Sequence, residues 1–175
     1  SNVLAGATDD LIQGNTIIPM QKQNVRLVSE EVRISDDSKI TAKFILENLS
    51  NASFTMKVGF PFRAPGPRTI KVMVQDQPVE VKKQLSGGKD EIYIKDKFSG
   101  FAYEMFVWDI SFDAKQKKTV RLEYAGKWGD TIAEETAMYF IYGTRTGALW
   151  SGNIEKADFY VKLDKSAAQL LGNKK

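Results

Sequence analysis

A chain of 175 residues fits one domain, or one domain with an arm, and buries roughly 70% of the surface that its unfolded form exposes. With 25 basic and 22 acidic residues the formal charge is +3, too balanced for the concentrated basic face that a nucleic-acid partner needs. Histidine and cysteine are both absent, which excludes Ser-His-Asp and Cys-His catalysis, thiol redox chemistry, disulfides, and the N/S ligand sets used for zinc or copper.

The hydrophobic fraction of 42% and charged fraction of 27% are those of a globular chain, and no apolar stretch reaches the roughly 18 residues of a membrane span. The sequence opens on Ser1. Val3 and Ala5 in NVLAG have the small-residue spacing of a signal-peptidase site, with Gly6 following, so export is the preferred reading and a Ser-Asn expression remnant the alternative.

Residues 1–23 have no clear period, yet they carry Leu4, Leu11, Ile12, Ile17, Ile18 and Met20. A disordered tail is poorer in aliphatics, so this is an arm that needs a surface to cover. Packing on its own sheet is the simpler expectation. Docking of Leu11, Ile12, Ile17, Ile18 and Met20 on a neighbouring subunit is the sharper one.

From residue 24 onward the hydrophobic period is two. KITAKFILENL puts Ile40, Ala42, Phe44 and Leu46 on one side, and SFTMKVGF does the same with Phe54, Met56, Val58 and Phe60. The two read as half-buried strands joined by the polar turn NLSNAS. After the breaker run PFRAPGPR, TIKVMVQ alternates Ile70, Val72 and Val74, and DQP turns it into VEVKK with Val79 and Val81. SGGKD is the next turn and EIYIKD a short strand.

YEMFVWDISF places Phe106, Trp108, Ile110 and Phe112 on one face, and the turn DAKQKK leads into TVRLEY with Val120, Leu122 and Tyr124. AGKWGD is a glycine-bounded loop, AMYFIYG a strand, and ADFYVKL the last strand, with Phe159, Val161 and Leu163 expected to point inward. DKSAAQLLGNKK predicts at most one short helix, capped by Asp164 and stopped at Gly172. About nine short strands at this spacing predict an all-β fold, an antiparallel β-sandwich spanning residues 24–175.

Paired carboxylates are the one common hydrolytic chemistry left by the composition. The acidic groups Glu30-Glu31, Asp36-Asp37, Asp90-Glu91, and Asp130 with Glu134-Glu135 are mostly adjacent. Neighbours on a strand point to opposite faces, so they read as solvated edges and turns. SDDSK and SGGKDE lack EF-hand ligand spacing, and alternation puts Asp109 on the wet face of its strand. The lysine runs VKKQ and AKQKK are solvated loop charges. The sequons at Asn48 and Asn51 matter only in a host that glycosylates, and chance occurrence is the simpler reading.

Trp128 and Trp150 lie in loops, whereas Trp108 reads as core. Exposed on one rim, the loop pair would support sugar binding; folded back, they plug the end of a sandwich, and the plug is favoured. GTRTG lacks the ending and helix of a phosphate loop, so its glycines are turn formers and Arg145 a surface charge or a ligand contact.

The order GNTIIP…VRLVSEEVRI, ITAKFILENLSNASFTMKVGFPF, FVWDISFDAKQKKTVRLEYAG and TGALWSGNIEKADFYV resembles a family of exported bacterial domains of unknown function, over roughly residues 14 to 163. The resemblance implies a predominantly β, exported domain with no established activity, cofactor or catalytic residues. The combined reading is an exported, non-catalytic structural protein whose arm docks on a second copy of itself in an extracellular or cell-surface assembly. The alternative is a cell-surface carbohydrate- or ligand-binding module using Trp128, Trp150 and Arg145. Neither requires a cofactor or a metal.

Overall fold

The computed structural model of the chain describes residues 14–15, 17–35, 39–63, 67–85, 103–126, 129–130, 138–139, 142–143 and 149–162. Leu11, Ile12, Trp128, Arg145, the EIYIKD strand and the helical turn after Asp164 lie outside the described residues. The strands are β1 (Gly14–Asn15), β2 (Ile18–Pro19), β3 (Val25–Ile34), β4 (Lys39–Asn48), β5 (Phe54–Arg63), β6 (Lys71–Val74) and β7 (Gln77–Pro78). They continue as β8 (Lys82–Leu85), β9 (Tyr103–Phe112), β10 (Lys117–Ala125), β11 (Gly129–Asp130), β12 (Met138–Tyr139), β13 (Tyr142–Gly143) and β14 (Lys156–Val161).

A six-stranded sheet in the order β14-β3-β4-β10-β6-β7 packs on a four-stranded sheet in the order β2-β5-β9-β8. The fold is an all-β sandwich, as the period-two pattern predicts. Most pairings are antiparallel, but β14 joins β3, and β1 joins β13, in parallel. The alternating residues of β4, β5, β9 and β10 enclose one core, with Phe44, Phe60, Phe62, Phe112, Leu46 and Leu122 fully buried. The Phe62 ring meets Phe60, Phe106 and Tyr124 edge to face, the arrangement that ring quadrupoles favour.

The turns follow from local chemistry. Gln75 and Asp76 both have positive φ, 51° and 62°, forming the two-residue hairpin that joins β6 to β7, with a twist matching that of its strands. At the end of β4, Asn48 is fully buried. Its amide donates to the carbonyls of Ala52 and Asp113, each at 2.8 Å, and its Oδ1 accepts from the Ser50 amide and hydroxyl. One side chain thus ties together the β4–β5 and β9–β10 turns, each of which crosses from one sheet to the other instead of closing a hairpin as expected of NLSNAS, and its buried nitrogen is not placed to receive a glycan.

In β3, Leu27 pairs with Leu46 but Ser29 pairs with Ile45, so Val28 is an extra, bulged residue. A bulge reverses the parity of everything after it. Glu30, Val32 and Ile34 therefore face the interior. Glu30 is 2% exposed, which overturns its expected place on a solvated edge.

Candidate functional site

Register places the interior residues of the large sheet in rows. Ala157, Glu30, Phe44 and Val120 form one; Phe159, Val32, Ala42 and Leu122 the next; Val161, Ile34, Ile40 and Tyr124 the third. The small Ala42 lies on the diagonal from Glu30, a buried carboxylate, to Tyr124, a buried phenol. Burial, with the Glu30 charge as the second cause, pushes the Tyr124 phenol well above the usual tyrosine range. The Tyr124 hydroxyl and the Trp108 indole N–H are buried without a hydrogen-bond partner.

The same rows correct the expectation for the last strand. Phe159 and Val161 do lie on the interior-facing side of β14, beside Val32 and Ile34. They are nevertheless 44% and 51% exposed, because β14 is the outer strand of the wider sheet and overhangs the narrower one. Tyr160, 46% exposed, is on the opposite face, with the Arg33 guanidinium 4.3 Å above its ring. Arg33 also bonds Glu31 at 2.8 Å, and Lys156 bonds Asp158 at 2.7 Å. These carboxylates hold both cations above their ordinary pKa range. The inner face of β14 is thus apolar and exposed, while Tyr160 and these paired charges lie on the other face of the sheet. Phe159, Tyr160 and Val161 are the large hydrophobic side chains exposed among the described residues, and no sequence signal separated them from core, because overhang depends on the width of the other sheet.

The residues proposed from sequence fall elsewhere. Trp150 is 5% exposed and donates its indole N–H to the Ile17 carbonyl at 2.8 Å. It is a plug, not an exposed stacking platform. Ser151 N–H bonds Val25 and Glu155 N–H bonds Val28, so the segment after Trp150 is laced onto β3. Arg26 strengthens the lacing through Glu155 at 2.7 Å and through Glu47. The Arg26 hydrogen bond holds the Glu47 carboxyl below the usual range.

Ile17, Ile18 and Met20 are buried on their own chain, with Ile17 in the core and Ile18 pairing with Gly59 of β5. Trp108 is core and Asp109 exposed, as alternation predicts. Among the described residues no group of three His, Cys, Asp or Glu side chains could hold a metal ion. None of their helices is long and apolar enough to cross a membrane.

No protein-family model and no curated protein matches the chain. Its fold is similar to a crystal structure of a "putative nutrient binding protein" from Legionella pneumophila, with a TM-score of 0.64 and 19% identity. The match covers 81% of this chain and 51% of that one, so the chain spans about half the length of that protein. At this identity the likeness concerns the fold.

Proposed function

We propose that the chain is an exported, non-catalytic binding module that receives a small solute with an apolar moiety on the overhanging rim of β14. The exposure of Phe159 and Val161 on the core-facing side of the sheet carries the reading. The two side chains form a small apolar surface on that face, with Tyr160 turned to the other. A stable protein interface takes about 800 Å² from each partner, so the rim suits a solute better than a subunit. The description of the Legionella protein as nutrient binding supports this reading, as does the resemblance to exported bacterial domains.

Thermal-shift screening of the full chain against amino acids, oligosaccharides and short-chain carboxylic acids tests it, with Phe159→Ser/Val161→Ser as the comparison. The expected result is a stabilising solute whose effect disappears in the double variant. A solute that stabilises both proteins equally places the site elsewhere, and a panel without a stabilising solute removes the reading. Self-association through the N-terminal arm is the second reading, motivated by the aliphatic content of residues 1–23. With Ile17, Ile18 and Met20 covered in cis, it rests on Leu11 and Ile12, and sedimentation of Leu11→Ser/Ile12→Ser against the parent chain tests it.

A further inference from the structure

The core-facing side of β14 carries Ala157, Phe159 and Val161, and the rows across the sheet identify the polar group beside them. Ala157 is the register partner of Glu30, and Phe159 that of Val32. Among the described residues of β14, β3 and β4 that share this face, Glu30 is the one charged side chain. Lys118 lies on the same face of β10, opposite Leu46 and three strands from β14. The exposed apolar rim therefore has a carboxylate as its charged neighbour.

Register sets the spacing. Phe159 is one strand and one row from Glu30, a separation of about 8 Å between main chains. Tyr124 is two strands and two rows away, and the Glu30 charge still contributes to the raised pKa of its phenol. A buried charge acts over such a span because little water lies between to screen it.

Ala157 decides how the charge is approached. Within its row it alone separates Glu30 from the outer edge of the described sheet, and it is exposed with a one-carbon side chain. Glu30 already interacts within the fold, but a carboxylate has about four acceptor positions and can take a further donor. Resting on the rim of β14 as the binding surface, we propose that the solute is an organic cation. Its apolar body lies on Phe159 and Val161, and its ammonium group lies over Ala157 toward the Glu30 carboxylate. A neutral or anionic solute of the same shape gains the apolar contact alone.

Three probes of similar shape separate charge from fit: phenethylamine, phenethyl alcohol and phenylacetate, each titrated at neutral pH into the full chain labelled at its valine methyl groups. The expected result is a shift of the Val161 resonance, with the amine at least about 10-fold tighter than the alcohol, the worth of a hydrogen bond to a charged group, and phenylacetate weakest. Glu30→Gln keeps the shape and should lower the amine to the affinity of the alcohol while leaving the alcohol unchanged. If the alcohol or phenylacetate shifts Val161 and binds as tightly as the amine, the rim stands and the cation assignment is overturned. If none of the three moves Val161, the rim fails as a binding surface and the assignment falls with it. A folded Glu30→Gln protein that keeps the preference for the amine also overturns the proposal. Should that variant misfold, the order of the three probes on the parent chain decides.

Discussion

Trp150 and Ile17, separated by 133 positions, are joined by a buried 2.8 Å hydrogen bond from indole N–H to main-chain carbonyl. The neighbouring residues reinforce it. Leu149 packs over the outer cluster with Ile18, while Trp150 enters the core with Ile17, so two consecutive side chains grip both faces of the edge strand β2. Trp150→Phe removes the donor and part of the volume and leaves a buried carbonyl unpaired. Chemical denaturation should show a loss of about 2–4 kcal/mol, with amide exchange at Ile18 accelerated beyond the global change.

Asn48 separates hydrogen bonding from charge. Asn48→Ala abolishes four bonds in a buried site and should lower stability by about 2–4 kcal/mol. Asn48→Asp is nearly isosteric but aims a carboxylate at the Ala52 and Asp113 carbonyls. At neutral pH it should be at least as damaging as alanine, with stability recovering as the pH is lowered toward 4 and the carboxyl regains a proton. Melting curves at pH 7 and pH 4 check the sign.

Tyr124 governs the alkaline limb. Its folded pKa is raised, so its contribution is fully present below the unfolded value near pH 10. That contribution is lost as pH rises from there toward the folded value, because only the unfolded chain releases the proton. Tyr124→Phe should remove this limb. It should also stabilise the protein at neutral pH by about 1 kcal/mol, because a hydroxyl without a partner leaves the core. Absorbance titration and denaturation at pH 8 and 10.5 measure both effects.

Glu47 governs the acid limb. Its folded pKa is lowered, chiefly by the Arg26 hydrogen bond, so the stability it contributes is present above the unfolded value near pH 4.3. This stability is lost as pH falls through the lower folded value. Glu47→Gln should flatten the pH dependence of the melting temperature below pH 4, and lower that temperature at pH 7 by no more than about 3 °C.

Gly59→Ala measures how tightly the Met20 and Met105 thioethers sit. The obstructing atoms are sulfurs of flexible side chains, 2.6 and 2.7 Å from the new carbon, so the loss should be about 1–2 kcal/mol, at the lower end for overpacking. Met105→Ala in the same chain should recover part of it. A double-mutant cycle in urea reads the coupling directly.

Period-two alternation was sufficient for β4, β5, β9 and β10, because each is ten or nearly ten residues long and buried on one face. The same rule failed in β3, where one bulged residue, Val28, turned Glu30 instead of Glu31 toward the core. Nothing in VRLVSEEVRI marks that insertion, which is set by the partner strand. At β14 the parity was correct and the burial was not, since Phe159 and Val161 face inward past the edge of the smaller sheet. The convergence of Met20 with Met105 was also hidden, because it depends on two strand registers meeting at a third strand. Trp150 was legible as a plug, although its bond to Ile17 was not.

The parallel seam between β14 and β3 joins residues more than a hundred positions apart, and Trp150 closes on Ile17 over a similar span. Contacts of such separation bring slow folding, because the entropy of closing the loop is lost before any contact compensates it. More than a hundred further residues must therefore be made before the first long strand acquires its second neighbour. Until then one side of β3 stays open to other partners, and the nascent protein is most vulnerable to aggregation in that interval.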